Sequence, residues 1–222
     1  MRKIGILTGG GDCPGLNAVI RGVVEKCARN DIEVYGFSAG WKGAMDGKGR
    51  WLTLADVDGL HTKGGTILES SRTNVLKTNT GVDMVKATMH KLGLESIIAV
   101  GGDDTLGVAN KLQDLGMNMI GVPKTIANDI SNTDYTFGFD TASNITMDAL
   151  DRLHPTAASH ARVIVVEIMG RHTGWIAVQA GIAGDAHVIC IPEFPMTADE
   201  ICEIIQKRHD AGYRYSIIAI AE

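Results

Sequence analysis

The stretch Ile4-Gly-Ile-Leu-Thr-Gly-Gly-Gly-Asp-Cys-Pro-Gly-Leu16 decides the fold. It begins as a short apolar run, passes through clustered glycines and then changes period. From there Leu16, Val19, Ile20, Val23, Val24 and Cys27 recur at the spacing of one helix face. Strand-like runs follow at Val34 to Phe37, Ile97 to Val100, Met119 to Val122, Val163 to Val166, Val188 to Ile191 and Ser216 to Ile220. Several are apolar throughout, as expected of parallel strands covered on both faces. Leu106, Ala109, Leu112 and Leu115 trace another helix stripe, and Thr197 with Glu200 forms a capping box ahead of Ile201, Ile204 and Ile205. Alternating strand and helix predicts a doubly wound, Rossmann-like α/β architecture with parallel sheets. The stretch from Ala39 to about Thr80 reads as irregular and rich in Gly, suited to part of a binding cleft.

At 222 residues and 45% hydrophobic content the chain can bury one or two cores. Its net charge of −5 gives no electrostatic reason to expect nucleic acid or an acidic membrane as partner. Cys13, Cys27, Cys190 and Cys202 form no CxxC pair and no HExxH occurs, which argues against structural zinc. No apolar run approaches the roughly 20 residues needed to span a bilayer. Dispersed cysteines, and a strand pattern that starts at Met-Arg-Lys-Ile4 with no room for a signal peptide, point to a cytoplasmic protein.

Three strand-end segments carry chemistry. Thr8 to Gly15 links the first strand to the first helix, where glycine lets the backbone approach a phosphate and the helix terminus favours negative charge. A tight turn without any ligand would use the same glycines, and the spacing is not GxGxxG. Gly101-Gly-Asp-Asp-Thr105 repeats the geometry with two added carboxylates. Acidic groups beside phosphates call for a cation, so Mg²⁺ on Asp103 is the physical reading, against a merely capped helix start. Gly121-Val-Pro-Lys-Thr-Ile-Ala-Asn-Asp129 places Lys124, Thr125 and Asp129 at a strand's carboxyl end, where open α/β sheets bind ligands.

Together with Ser159-His-Ala-Arg162 and Met169-Gly-Arg-His-Thr-Gly-Trp175, these segments resemble the active site of the phosphofructokinases. The resemblance spans the whole chain. It implies two similar α/β domains, 1–138 for the phosphoryl donor and Mg²⁺ and 139–222 opening the sugar-phosphate domain. The boundary is expected near Gly138 to Thr141, and the chain ends before the family fold is complete. It further implies donor contacts at Gly11, Arg72, Gly102, Asp104, Thr105 and Lys124. Fructose 6-phosphate would lie against Thr125, Met169, Gly170, Arg171 and Glu222, with Arg162 reaching the 6-phosphate from a neighbouring subunit. Catalytic roles fall to Thr125, Asp129 and Arg171, the last stabilising charge on the moving phosphoryl group. Arg162 and Arg171 read as the two ends of one buried strand, and Trp175 reads as core. A homodimer or homotetramer acting in glycolysis is the implied setting.

Two departures matter. The family carries Asp where this chain has Ala127, and that Asp takes the proton from the sugar hydroxyl. Asp104 stands where ATP-using members usually carry Gly. A carboxylate about 4 Å from nucleotide phosphate costs on the order of 4 kcal/mol at an effective dielectric near 20, roughly a thousandfold in affinity. Asp104 with Lys124 resembles the pyrophosphate-dependent branch; the rival is an ATP-dependent 6-phosphofructokinase. Thr73, Leu76 and Val108 also differ from the residues that ATP-dependent bacterial members place around the nucleotide. Ala127 also permits a catalytically silent sugar-phosphate-binding or regulatory subunit. Of the family's effector cluster Arg21 remains, while Glu25 and Leu54 occupy two other positions, which speaks against control by nucleotide diphosphate.

Overall fold

The computed structural model describes residues 1–222. Its contacts divide the chain into two units, Met1–Thr125 with Thr136–Gly138, and Ile126–Tyr135 with Phe139–Glu222.

The first unit runs β1 (Arg2–Thr8), α1 (Leu16–Ala28), β2 (Ile32–Phe37), α2 (Trp41–Asp46), β3 (Gly49–Leu52), α3 (Leu54–Val57), α4 (Gly81–Leu92), β4 (Ser96–Gly101), α5 (Asp103–Asp114), β5 (Met119–Thr125) and β6 (Phe137–Gly138). The sheet order is β3-β2-β1-β4-β5-β6, parallel throughout except for β3, which pairs antiparallel with β2. Side chains alternate across the sheet. Ile6, Val34 and Val100 meet Leu16, Ile20 and Val24 of α1 on one face. Leu7, Phe37 and Ala99 meet α2, α4 and α5 through Trp41, Val85, Met89, Val108 and Leu112 on the other. Covering both faces is why the central strands are apolar along their whole length. The helices that follow β1 and β4 lie on opposite faces, so the winding reverses between these strands. In such sheets a reversal of this kind leaves a crevice at the carboxyl ends, the usual ligand position.

The crevice is closed at its base by backbone contact. The Gly9 N–H donates to the Val100 carbonyl at 2.9 Å. A Cβ on Gly9 would lie 2.5 Å from Thr105 Oγ1, and one on Gly101 would lie 2.5 Å from Thr105 Cβ. Trp41 Nε1 donates to the Thr105 carbonyl at 3.4 Å, fixing the first turn of α5 from below.

Residues 39–80 are more regular than the sequence suggests. They hold α2, β3, α3 and two single 3-10 turns, Leu60–Thr62 and Val75–Lys77. These pieces are too short to show a period. Tertiary contacts hold them, including the buried Trp41, the edge-on packing of Tyr35 with Trp51 at 5.1 Å and a Thr53–Asp56 capping box. The stripe of α5 also differs: Thr105, Val108, Ala109 and Leu112 are buried, Leu106 flanks Gly121 of β5 and Leu115 ends half exposed.

The second unit contains α6 (Phe139–His160), β7 (Val163–Ile168), α7 (Trp175–Ala183), β8 (Val188–Cys190), α8 (Ala198–Asp210) and β9 (Ser216–Ala221). Its sheet, β7-β9-β8, is entirely parallel. Phe139, Leu150, Ile176 and Ala180 of α6 and α7 pack on Ile168, Ile217 and Ala219. Ile201, Ile204 and Ile205 of α8 cover Val188, Cys190 and Ile218. The Thr197–Glu200 capping box forms as expected. Two expectations fail. As an edge strand, β7 leaves Val163 and Val165 49% and 61% exposed, so it is not a buried strand. Trp175 is 52% exposed at the start of α7, because Ile176, Ala177 and Ala180 form the face that packs. No helix is long and apolar enough to cross a membrane.

Two outcomes are expected. Gly101→Ala forces a methyl against the buried Thr105 and should cost about 1–3 kcal/mol in urea unfolding; a neutral result would contradict the close approach. His187 Nδ1 accepts from the Ile217 N–H at 2.8 Å, and its ring packs on His154 and Tyr215. Burial, then Arg208, holds its pKa below the usual imidazole value, with Asp185 opposing and His154 adding a little. The stability this contributes is present above the unfolded value near 6.5 and is lost as pH falls through the lower folded value. The melting temperature should therefore drop between pH 7.5 and 5.5. His187→Asn, which keeps an acceptor but does not titrate, should flatten that drop; an unchanged drop would refute it.

Candidate active site

In the first unit the carboxyl ends of β1, β4 and β5 bring three distant segments together. The Gly10 N–H donates to the Ser71 carbonyl at 3.3 Å, and Ser70 Oγ donates to the Gly10 carbonyl at 2.9 Å. These contacts hold the chain just before Arg72 against the β1–α1 loop, with Arg72 itself exposed. Lys124, last but one in β5, donates from Nζ to the Gly11 carbonyl at 2.7 Å. A Cβ on Gly102 would stand 3.6 Å from the Lys124 carbonyl, while nothing lies within 4 Å of one on Gly11. Gly11, Gly102, Thr105 and Lys124 are thus neighbours, with Arg72 carried by the adjoining loop and open space beside Gly11.

Lys124 is only 5% exposed. Burial lowers its pKa, and the nearby Asp12 pulls it partly back. A desolvated ammonium held mainly by a neutral carbonyl gains more from an arriving anion than a solvated one does. The Cys13 thiol, pushed up to about 11 by burial, remains protonated and donates to the Phe137 carbonyl at 3.3 Å. Lys124 and Phe137 are partners in the β5–β6 pairing, so this bond also steadies the strand that carries the cation. Thr136 Oγ1 donates to the Thr125 carbonyl at 2.6 Å alongside it. Asp103 and Asp104 are exposed in the first turn of α5, where the helix dipole favours carboxylates. Such exposed hard oxygens suit Mg²⁺, which binds through one or two carboxylates together with substrate phosphates and water.

In the second unit a separate group forms after β7. Met169 and Arg171 are exposed, and Gly170 is buried. The Glu222 N–H donates to the Ile168 carbonyl at 2.9 Å, which sets Glu222 beside Met169. Gly170 has no room for a Cβ against the Thr173 carbonyl. The Thr173 N–H closes back on the Gly170 carbonyl at 3.1 Å, and Arg171 takes a left-handed conformation with φ of 60°. Thr173 Oγ1 donates to the Ala127 carbonyl at 2.9 Å, tying residue 127 to this loop. The Gly174 N–H donates to both carboxylate oxygens of Glu193, at 2.9 and 3.1 Å. Ala127 is buried, and Asp129 is exposed after Asn128, which is left-handed with φ of 53°. Arg162 does not join this group. It precedes β7, its carbonyl accepting from Ser216 at 3.2 Å, so the length of the strand, roughly 20 Å, separates it from Met169.

The sequence reading overlooked Ser70, Cys13, Thr173 and Glu193. Cys13 and Thr173 lie inside the quoted motifs, and Glu193 follows Pro192 after β8, where nothing local marked it. The segment holding Ser70 gave no signal because its partner lies 60 residues away.

A phosphofructokinase family model matches residues 3–222. The pyrophosphate–fructose 6-phosphate 1-phosphotransferase of Amycolatopsis methanolica is 52% identical over 99% of this chain and 64% of its own length. ATP-dependent 6-phosphofructokinase 3 of Streptomyces coelicolor is 49% identical over 99% of this chain and 65% of its own. The chain therefore spans less than two thirds of these relatives. Among solved structures, phosphofructokinase from Pichia pastoris in the T-state aligns with a TM-score of 0.93 at 30% identity, over all of this chain and 26% of that one. A pyrophosphate-dependent phosphofructokinase from Marinobacter aquaeolei shares the fold with a TM-score of 0.85 at 23% identity. With a family match from Lys3 to the last residue, and glycine loops and a buried lysine at the strand ends, the chain belongs to the phosphofructokinase family.

Proposed function

We propose that this chain carries the phosphotransfer residues of a pyrophosphate-dependent phosphofructokinase, with Ala127 in place of the general base. The observation that supports it most is Lys124, a buried ammonium at the β1, β4 and β5 strand ends, with Asp104 on the adjoining α5. Relatives using either donor match at similar identity, so the donor assignment rests on these two residues.

In this reading Lys124 and Arg72 draw the pyrophosphate to the open side of Gly11, and the backbone around Gly102 and Thr105 approaches its oxygens. Asp103 holds Mg²⁺, which when bound neutralises phosphate charge as the phosphoryl group moves. Fructose 6-phosphate takes Thr125, Asp129, Met169, Gly170, Arg171 and Glu222. With a carboxylate at position 127, its 1-hydroxyl attacks the terminal phosphorus while the hydroxyl proton passes to that carboxylate, the bond to the bridging oxygen breaks, and fructose 1,6-bisphosphate and phosphate leave; Ala127 offers no such acceptor. Arg171 stabilises charge on the transferring group. Arg162, remote from Met169 within one chain, serves the sugar phosphate of a neighbouring copy in a homodimer or homotetramer. Cytoplasmic glycolysis is the setting that follows. The domain roles follow the same division, the donor and Mg²⁺ in 1–138 and the sugar phosphate beginning in 139–222.

Ala127 favours a second reading, a sugar-phosphate-binding subunit without turnover. An alanine methyl can neither accept the hydroxyl proton nor orient the hydroxyl.

Titration calorimetry tests the donor. Pyrophosphate with Mg²⁺ should bind more tightly than ATP with Mg²⁺, and Asp104→Gly should narrow the gap by improving ATP. Equal or tighter ATP binding in the unaltered protein would overturn the pyrophosphate assignment. Turnover tests the base. In a protein spanning the relatives' full length, Ala127→Asp should raise the phosphotransfer rate by at least about two orders of magnitude, within the usual range for general base catalysis. Equal rates with and without the carboxylate would remove position 127 from the mechanism, and no transfer in either protein would favour the silent subunit.

A further inference from the structure

We propose that Thr173 is a positioning residue that sets where the side chain of residue 127 stands for proton transfer. The inference rests on the reading of position 127 given under Proposed function. A hydroxyl carries one proton, and Thr173 Oγ1 has two carbonyls in reach, Ala127 at 2.9 Å and Gly170 at 3.3 Å. The shorter and stronger contact goes to Ala127, across 46 residues of chain. That bond restrains the carbonyl of residue 127, and so limits the backbone rotations at 127 that would carry a side chain there away from its place.

The anchor itself has little freedom. Thr173 closes a turn on the Gly170 carbonyl, where a Cβ on Gly170 would collide with the Thr173 carbonyl. Arg171 is held left-handed inside the turn, a conformation that a non-glycine residue keeps only when its surroundings impose it. On the far side, Gly174 is clamped by both oxygens of Glu193 and has no room for a Cβ beside Ile191. The loop therefore presents the Thr173 hydroxyl in one place, and Asn128, left-handed at φ 53°, turns the chain immediately after the tethered carbonyl. The tether also joins position 127 to the turn that carries Arg171.

The test is a double-mutant cycle in protein spanning the relatives' full length. Thr173→Val keeps the shape and removes the donor; Thr173→Ser keeps the donor. In the Ala127→Asp background, Thr173→Val should lower kcat about tenfold to a hundredfold, the size of effect that a misplaced reacting group produces, with KM for fructose 6-phosphate little changed. Thr173→Ser should recover most of that loss. In the Ala127 background the same Val substitution should cost clearly less, because no carboxylate is there to misplace and only the link to the Arg171 turn is lost. A displaced base should also move the acid limb of the kcat profile, whereas a smaller folded fraction lowers the profile without moving it. Equal fold losses in both backgrounds with an unmoved acid limb, or no loss in the Ala127→Asp background, would overturn the inference. Absence of phosphotransfer from the Ala127→Asp protein itself would instead overturn the reading of position 127 on which it stands.

Discussion

Everything at the carboxyl ends of β1 and β4 depends on how closely two backbones pass. The β1–α1 and β4–α5 loops meet only because residues 9 and 101 have no Cβ, leaving Thr105 to fill the space that two methyl groups would claim. The same approach lets the Gly9 N–H reach the Val100 carbonyl. With the loops in contact, the reversal of winding between β1 and β4 becomes a crevice with backbone on both sides, where phosphate oxygens can come close. Trp41 and the segment 66–71 then hold the loops from outside, through Thr105, Thr8 and Gly10.

Into this base the fold introduces a buried cation. An ammonium removed from water is costly unless an opposite charge or good acceptors replace the lost solvent. Lys124 has the Gly11 carbonyl, with Asp12 nearby, and its lowered pKa records that the compensation is partial. Under the proposed function, partial compensation suits an anion site. A fully paired lysine would have to give up a partner before accepting phosphate, and a solvated one would gain less from the contact. The protonated Cys13 thiol competes for no positive charge and serves instead to fasten β6 beside β5.

The second unit solves a different problem, that of holding a mobile-looking loop in a single geometry. The sequence between Met169 and Gly174 has two glycines and no apolar anchor, and Met169 and Arg171 face solvent. Its order comes from adjacent polar ties at its end, the Thr173 bond to Ala127 and the Glu193 clamp on Gly174, and from the Thr173 N–H closing back on the Gly170 carbonyl. Edge position costs β7 its burial, yet its register with β9 still brings Glu222 beside Met169. Charge and shape are thus supplied by separate devices, a desolvated lysine in one unit and a strapped turn in the other.

The amino-acid sequence by itself determined seven of the strands, the helices α1, α5 and α8, the parallel α/β class and the strand-end motifs. Those features are local. A buried parallel strand must be apolar throughout, a helix on its face must repeat at 3.6 residues, and a loop that passes close to another backbone must be glycine. The short elements in residues 39–80, the exposure of Trp175 and of β7, and the contacts of Lys124, Thr173 and Glu193 were decided only by tertiary structure. Each depends on a partner far along the chain: 113 residues from Lys124 to Gly11, 46 from Thr173 to Ala127, 19 from Glu193 to Gly174. A motif names the residue types that chemistry requires, but how buried a lysine is, and which carbonyl a hydroxyl holds, follow from what the fold packs around them.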